Sequence, residues 1–127
     1  MSYTTIKKPS DYFNTKLYTG TGSSNAVTGV GFQPDLLWFK NRNSAINHMW
    51  FDSVRGIDKY LYGNLNEAEG TSSSVLTAIG SDGFTVGAND NVNGNGNGIV
   101  SWNWLAANGT SANTDGSISS TVSANTT

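Results

Sequence analysis

Ile99-Val-Ser-Trp-Asn-Trp-Leu105 stands between a run of Asn-Gly repeats and a tail of small polar residues. Within it Val100, Trp102 and Trp104 alternate with Ser101 and Asn103, and a period of two places the large side chains on one face of a β-strand. The same texture recurs along the chain. Asp35–Asn41 (DLLWFKN) is the most apolar segment and is expected to form a central strand covered on both faces. Phe13–Thr19, Asn25–Val30, His48–Asp52 and Lys59–Tyr62 are further short runs of aromatic and β-branched residues, each stopped by Gly, Asn or Pro. Val75–Ile79 and Phe84–Val86 flank Ser81-Asp82-Gly83, which predicts a hairpin with a type I′ turn and positive φ at both Asp82 and Gly83. Asn89–Gly98 reads as a loop, and Ser117–Val122 as a last edge strand.

No window shows apolar residues at helical spacing free of Gly, Pro or Asn clusters. Eight or nine short strands with regular turn signals therefore predict an all-β fold, an antiparallel β-sandwich or jelly roll. Parallel α/β architecture is excluded by the lack of crossover helices. Asn, Ser and Thr fill 46 of 127 positions, a composition that could signal disorder, but four Trp, five Tyr and five Phe supply a core. Residues 1–106 are expected to form the sandwich, and 107–127 a Ser/Thr/Asn-rich C-terminal arm that orders against a neighbour.

A net charge of −2 gives no basic footprint for nucleic acid. With no Cys there are no disulfides, thiolate metal sites or cysteine nucleophiles. The longest apolar run, Leu36–Phe39, falls far short of the ~20 residues that span a membrane, and the amino terminus lacks the apolar core of a secretory signal. No cofactor motif is present.

The inventory for catalysis is equally thin. His48 and Asp52 share a face in a strand but lie about 13 Å apart, too far to act together. Glu67 and Glu69 read as a solvated acidic loop rather than a glycosidase pair. Arg55 is expected to lock a turn through Asp52 or Asp58. The weak candidates for binding are Asn89, Asp90, Asn91 and Asn93: Asn89, Asn91, Asn93 and Gly94 fall at positions 1, 3, 5 and 6 of a calcium-type loop, and Asp90 is its only formal charge. Position 12 of that loop is Val100 rather than a bidentate Glu, so a structural turn is the preferred reading and no metal site is assigned. Trp38, Trp50, Trp102, Trp104, Tyr60 and Tyr62 could stack on sugar rings, yet a chain so poor in aliphatics needs them in its core, leaving about one exposed tryptophan.

The blocks KPSDYFNTKLYTGTG, VTGVGFQPDLLWFKNR, FDSVRGIDKYLYGN, SDGFTVG, IVSWNWLA and NTDGSISSTVSANT, in that order, resemble a domain of bacteriophage virion proteins, notably of marine phages. The likeness runs from Lys8 to Thr126. It implies a concanavalin- or SPRY-like β-sandwich in fibre-like and other structural proteins. Two departures stand out: relatives carry a basic residue and more glycine where this chain has Leu105–Gly109, and longer relatives continue past the segment TVSANTT. The resemblance implies a non-enzymatic structural protein of the virion, a capsid decoration or a head or tail fibre component. Expected partners are further copies, as a trimer, other capsid or tail proteins, and as the alternative a host-surface glycan bound by an adhesin domain.

Overall fold

A computed structural model describes residues 8–106 and 109–123. The stretch before Lys8, the start of the expected arm at 107 and the last four residues lie outside the described residues. After a 3-10 turn at Pro9–Asp11 the elements are β1 (Phe13–Thr19), β2 (Asn25–Thr28), β3 (Leu36–Asn41), β4 (Met49–Asp52), β5 (Lys59–Tyr62), β6 (Gly70–Thr71), β7 (Leu76–Gly80) and β8 (Gly83–Val86). There follow one helical turn, α1 (Asp90–Asn93), then β9 (Gly98–Trp104), β10 (Ser111–Asn113) and β11 (Ser120–Val122).

The fold is all-β, an antiparallel sandwich. One sheet has the order β1-β9-β3-β4-β5-β6 and the other β2-β8-β7, and every strand pair is antiparallel. The core lies between the two sheets. Leu37 and Phe39 of β3, Met49 and Phe51 of β4, and Ile99 of β9 are fully or almost fully buried, as are Leu76 and Val86 of the smaller sheet. Phe39 meets Phe84 edge-on across the gap at 5.1 Å, and within its own sheet it meets Phe51 at 5.9 Å. Tyr18 is pinned in the same layer by its hydroxyl, which donates to the carbonyl of Val92, and burial raises its pKa.

Several expectations need correction. β3 is central in its sheet but covered on one face only: Leu37, Phe39 and Asn41 are buried while Leu36, Trp38 and Lys40 remain half-exposed. The turn between β7 and β8 holds positive φ at Gly83 alone, for no described non-glycine residue has it. A Cβ at Gly83 would stand 2.0 Å from the carbonyl oxygen of Val27, so close strand approach as well as φ demands glycine there. The exposed side chain of Asp82 turns to the β2–β3 connection, accepting the amides of Gly29 at 2.9 Å and Gly31 at 2.7 Å. The Asn89–Gly98 segment is not all loop, because α1 starts on an Asn89 cap whose side chain accepts from the Asn91 amide. Finally, β11 is no edge strand of the sandwich: it pairs with β10 in a separate two-stranded sheet.

Candidate functional site

The alternation that buries one face of the larger sheet presents the other. Cross-strand partners fix its layout: Thr15 faces Trp102, Trp102 faces Trp38, Trp38 faces Trp50, and Trp50 faces Leu61. One row thus crosses five strands, β1-β9-β3-β4-β5. The neighbouring row is Phe13, Trp104, Leu36 and Asp52, and the next is Leu17, Val100 and Lys40. All four tryptophans sit on this outer face, each half-exposed, and none lies in the core. The expectation that most of them fill the interior is therefore overturned. Val, Leu, Phe and Met fill most of the gap between the sheets, with Ile99 and tyrosines such as Tyr18 completing it.

The rings pack on one another. Trp38 lies 5.0 Å from Trp102 and 5.3 Å from Trp50, tilted by 47° and 54°, and Phe13 lies 5.0 Å from Trp104. Tilted pairs at this separation are favourable by about 0.5–1.5 kcal/mol beyond their buried area. They hold the side chains in place and leave ring edges and partial faces open. Leu36, Trp38, Trp50 and Trp104 line a shallow groove of about 180 Å³ with no polar lining. That is smaller than the ~300–1,000 Å³ of ordinary small-molecule pockets.

Polar groups frame the face at two ends. His48 Nδ1 accepts from the Trp38 indole at 3.2 Å, and Lys40 donates to the carbonyls of Ser44 and Ile46, each at 3.0 Å. Loss of solvent, followed by the charge of Lys40, lowers the His48 pKa. At the other end Arg55 pairs with Asp52 and with Glu69 at 3.1 Å, while Asp52 also accepts the amides of Val54 and Arg55. The expected turn lock by Asp52 is thus in place. The Trp50 indole nitrogen is buried without a hydrogen-bond partner, and a Cβ on Gly63 would come within 2.5 Å of it.

The residues singled out in the sequence are dispersed. Glu69 is held by Arg55, and His48 contacts Trp38 rather than a carboxylate or hydroxyl. Tyr60 and Tyr62 turn to the inner side, where Tyr60 meets Phe51 at 6.0 Å and Tyr62 at 5.3 Å. In the Asn89–Asn93 segment the side-chain oxygens of Asn89 and Asn93 are taken up by protein donors. Asn93 is fully buried, its Oδ1 accepting from the Thr21 amide and Asn25 Nδ2, and its Nδ2 donating to the carbonyls of Ser23 and Gly87. The Asp90 carbonyl accepts from Asn41, and its side chain is on an exposed residue. Among the described residues no group of three or more His, Asp or Glu is placed to hold a metal.

Leu36, Phe13 and Leu17 are members of the outer face that the sequence reading passed over. A signal was present: Lys40 shares parity with Trp38, and Asp52 with Trp50, so the charged residues mark the side that faces water.

Comparison with known proteins places the chain in one family. It belongs to DUF7483, described as a domain of unknown function, whose profile matches residues 8–127. No curated protein and no solved structure matches it.

Proposed function

We propose that this DUF7483 domain is a non-enzymatic structural component of a bacteriophage virion, a capsid decoration or fibre element that assembles by covering its tryptophan face with a neighbouring protein chain. The carrying observation is the outer face itself. Apolar side chains gathered on one solvent-facing surface mark interaction sites, and here four half-exposed tryptophans share such a face with the exposed Phe13 and Leu17. Tilted indoles offer ridges and a shallow apolar groove, a relief suited to interdigitating side chains. Tryptophan is also the residue type most enriched at the centres of protein interfaces. The virion assignment is supported by the six ordered sequence blocks.

The test is density of the intact particle together with light scattering of the isolated protein. The reading expects oligomers that dissociate when Trp102 is replaced by Ser, and density for the domain on the shell or a fibre. A strict monomer that is missing from purified virions would overturn it.

A second reading, a glycan-binding adhesin domain, is favoured by the groove at Leu36, Trp38, Trp50 and Trp104, where a single sugar ring could rest on indole. The absence of polar lining counts against it, since sugar hydroxyls need hydrogen-bond partners. Glycan-array binding that disappears in Trp50→Ala would establish this alternative.

A further inference from the structure

β1 is the edge of the larger sheet and pairs with β9 alone. Two flanking bonds set its phase: Leu105 N–H donates to the Tyr12 carbonyl, and Gly20 N–H to that of Asn97. Since backbone groups alternate between the two sides of a strand, the even-numbered residues bond to β9. The N–H and C=O groups of Phe13, Thr15, Leu17 and Thr19 then point away from it. The Thr19 carbonyl accepts from Asn25 Nδ2 at 3.2 Å. Among the described residues no strand pairs with the rest of that side.

This edge is seven residues long, about 23 Å, with no proline and no bulge in its pairing to β9. Exposed edges of this kind are templates for another strand, and natural proteins usually blunt them. The one charged residue in β1 is Lys16, which points to the inner side of the sheet, where its charge acts on Asp82.

We propose that β1 pairs antiparallel with β1 of a second copy, about a twofold axis at Thr15. The choice of axis follows from the side chains. With Thr15 opposite its own counterpart, the outward-pointing Phe13 lies across from Leu17 of the second copy, and Asn14 across from Lys16. The aromatic–aliphatic pair favours that alignment, and the neutral Asn14 opposite each Lys16 keeps like charges apart. Moving the axis to Lys16 keeps the backbone bonds but sets two ammonium groups opposite each other. Moving it to Leu17 leaves Phe13 without a strand partner. Thr15 also ends the row Leu61–Trp50–Trp38–Trp102–Thr15. An axis there, normal to the sheet, joins the two rows end to end on the same face of one twelve-stranded sheet.

This proposal rests on self-assembly as argued above and specifies its first contact. It builds assemblies of even order, in place of the trimer expected from the sequence.

Crosslinking tests the axis directly, because the chain has no cysteine. Thr15→Cys brings two thiols together at a Cα separation of about 5.5 Å, inside the range a disulfide accepts. Mild oxidation is expected to give a covalent dimer on a non-reducing gel. Leu17→Cys places its two copies four residues apart, about 13 Å, and is expected to remain monomeric on the same gel. Thr15→Pro removes an N–H that β9 does not use, so it is expected to keep the circular dichroism of the native chain and shift light scattering from dimer to monomer. Equal crosslinking at positions 15 and 17, or none at 15, overturns the proposed pairing. If Thr15→Pro leaves the oligomer intact while Trp102→Ser dissolves it, the β1 pairing falls and assembly through the aromatic face stands. A native chain that is monomeric at all concentrations defeats both.

Discussion

Trp38 and Trp102 face each other across adjacent strands with ring centroids 5.0 Å apart, on the side of the sheet turned away from the core. One residue along β3, Phe39 is wholly buried against Phe51 and Phe84. The largest side chains of the chain therefore hold the fold together less than their size suggests.

That division has a measurable counterpart. Phe39→Ala is expected to lower stability by about 3–5 kcal/mol, the range for emptying a buried aromatic site. Trp102→Ala, which loses ring pairing and partial burial only, is expected to lower it by about 1–2 kcal/mol. Urea unfolding of the two variants at low protein concentration checks the order. Equal losses would mean that the outer face carries the fold.

Asn93 and Asp90 separate in the same way. Asn93→Ala deprives the Thr21 amide and the Ser23 and Gly87 carbonyls of their partner in a buried setting. A loss of about 2–4 kcal/mol is expected from orphaned buried groups. Asp90→Ala leaves intact the backbone carbonyl that Asn41 uses, and should stay within about 0.5 kcal/mol. Thermal melts with and without calcium complete the test, and a shift on adding calcium in the native chain but not in Asp90→Ala would return the segment to the metal-binding reading.

Asp82 supplies an acid limb. The amide of Gly31, then that of Gly29, hold its pKa below the ordinary 3.8, with Lys16 adding to them. A carboxylate depressed in the folded state contributes stability that is complete above its unfolded pKa and is lost as pH falls through the folded one. The native chain is thus expected to melt above Asp82→Asn at neutral pH, with the gap closing below about pH 4. A gap that persists at pH 2 would point to contacts other than the ionised carboxylate.

His48 acts in the same direction from a different cause. Desolvation, and next the charge of Lys40, lower its pKa from 6.5. The unfolded chain then binds a proton more readily than the folded one, so stability declines as pH drops from about 6.5 to the folded pKa and is level below it. Protonation at Nδ1 also removes the acceptor of the Trp38 indole. Melting curves should show a step down below about pH 6.5 that does not recover on further acidification and is missing in His48→Gln.

The limits of β1 and β5 were legible because turn residues bracket both runs and their side chains fit a strand. The direction each strand faces was not legible in DLLWFKN, where both parities are apolar and only Lys40 and Asn41 tell them apart. Lys40 points to water, whereas Asn41 is buried through bonds to the α1 segment 49 residues later. The role of Asn93 was hidden for a similar reason, since all its named partners but Gly87 lie some 70 residues earlier in the chain. Local pattern reports periodicity, but it does not report which of two apolar faces meets a second sheet.

The buried Asn41, Ser101 and Asn103 have a consequence for how the chain finds its fold. A sheet whose two faces are both apolar gives little penalty to a strand that slips by one residue, because one set of large side chains replaces another. Here a slip of β9 would carry Asn103 out of reach of the Asn14 carbonyl, and a slip of β3 would carry Asn41 away from Asp90. It would also drive Lys40 inward. These small polar residues act as keys that reject misaligned intermediates, and the freedom to place tryptophans on the outside depends on them.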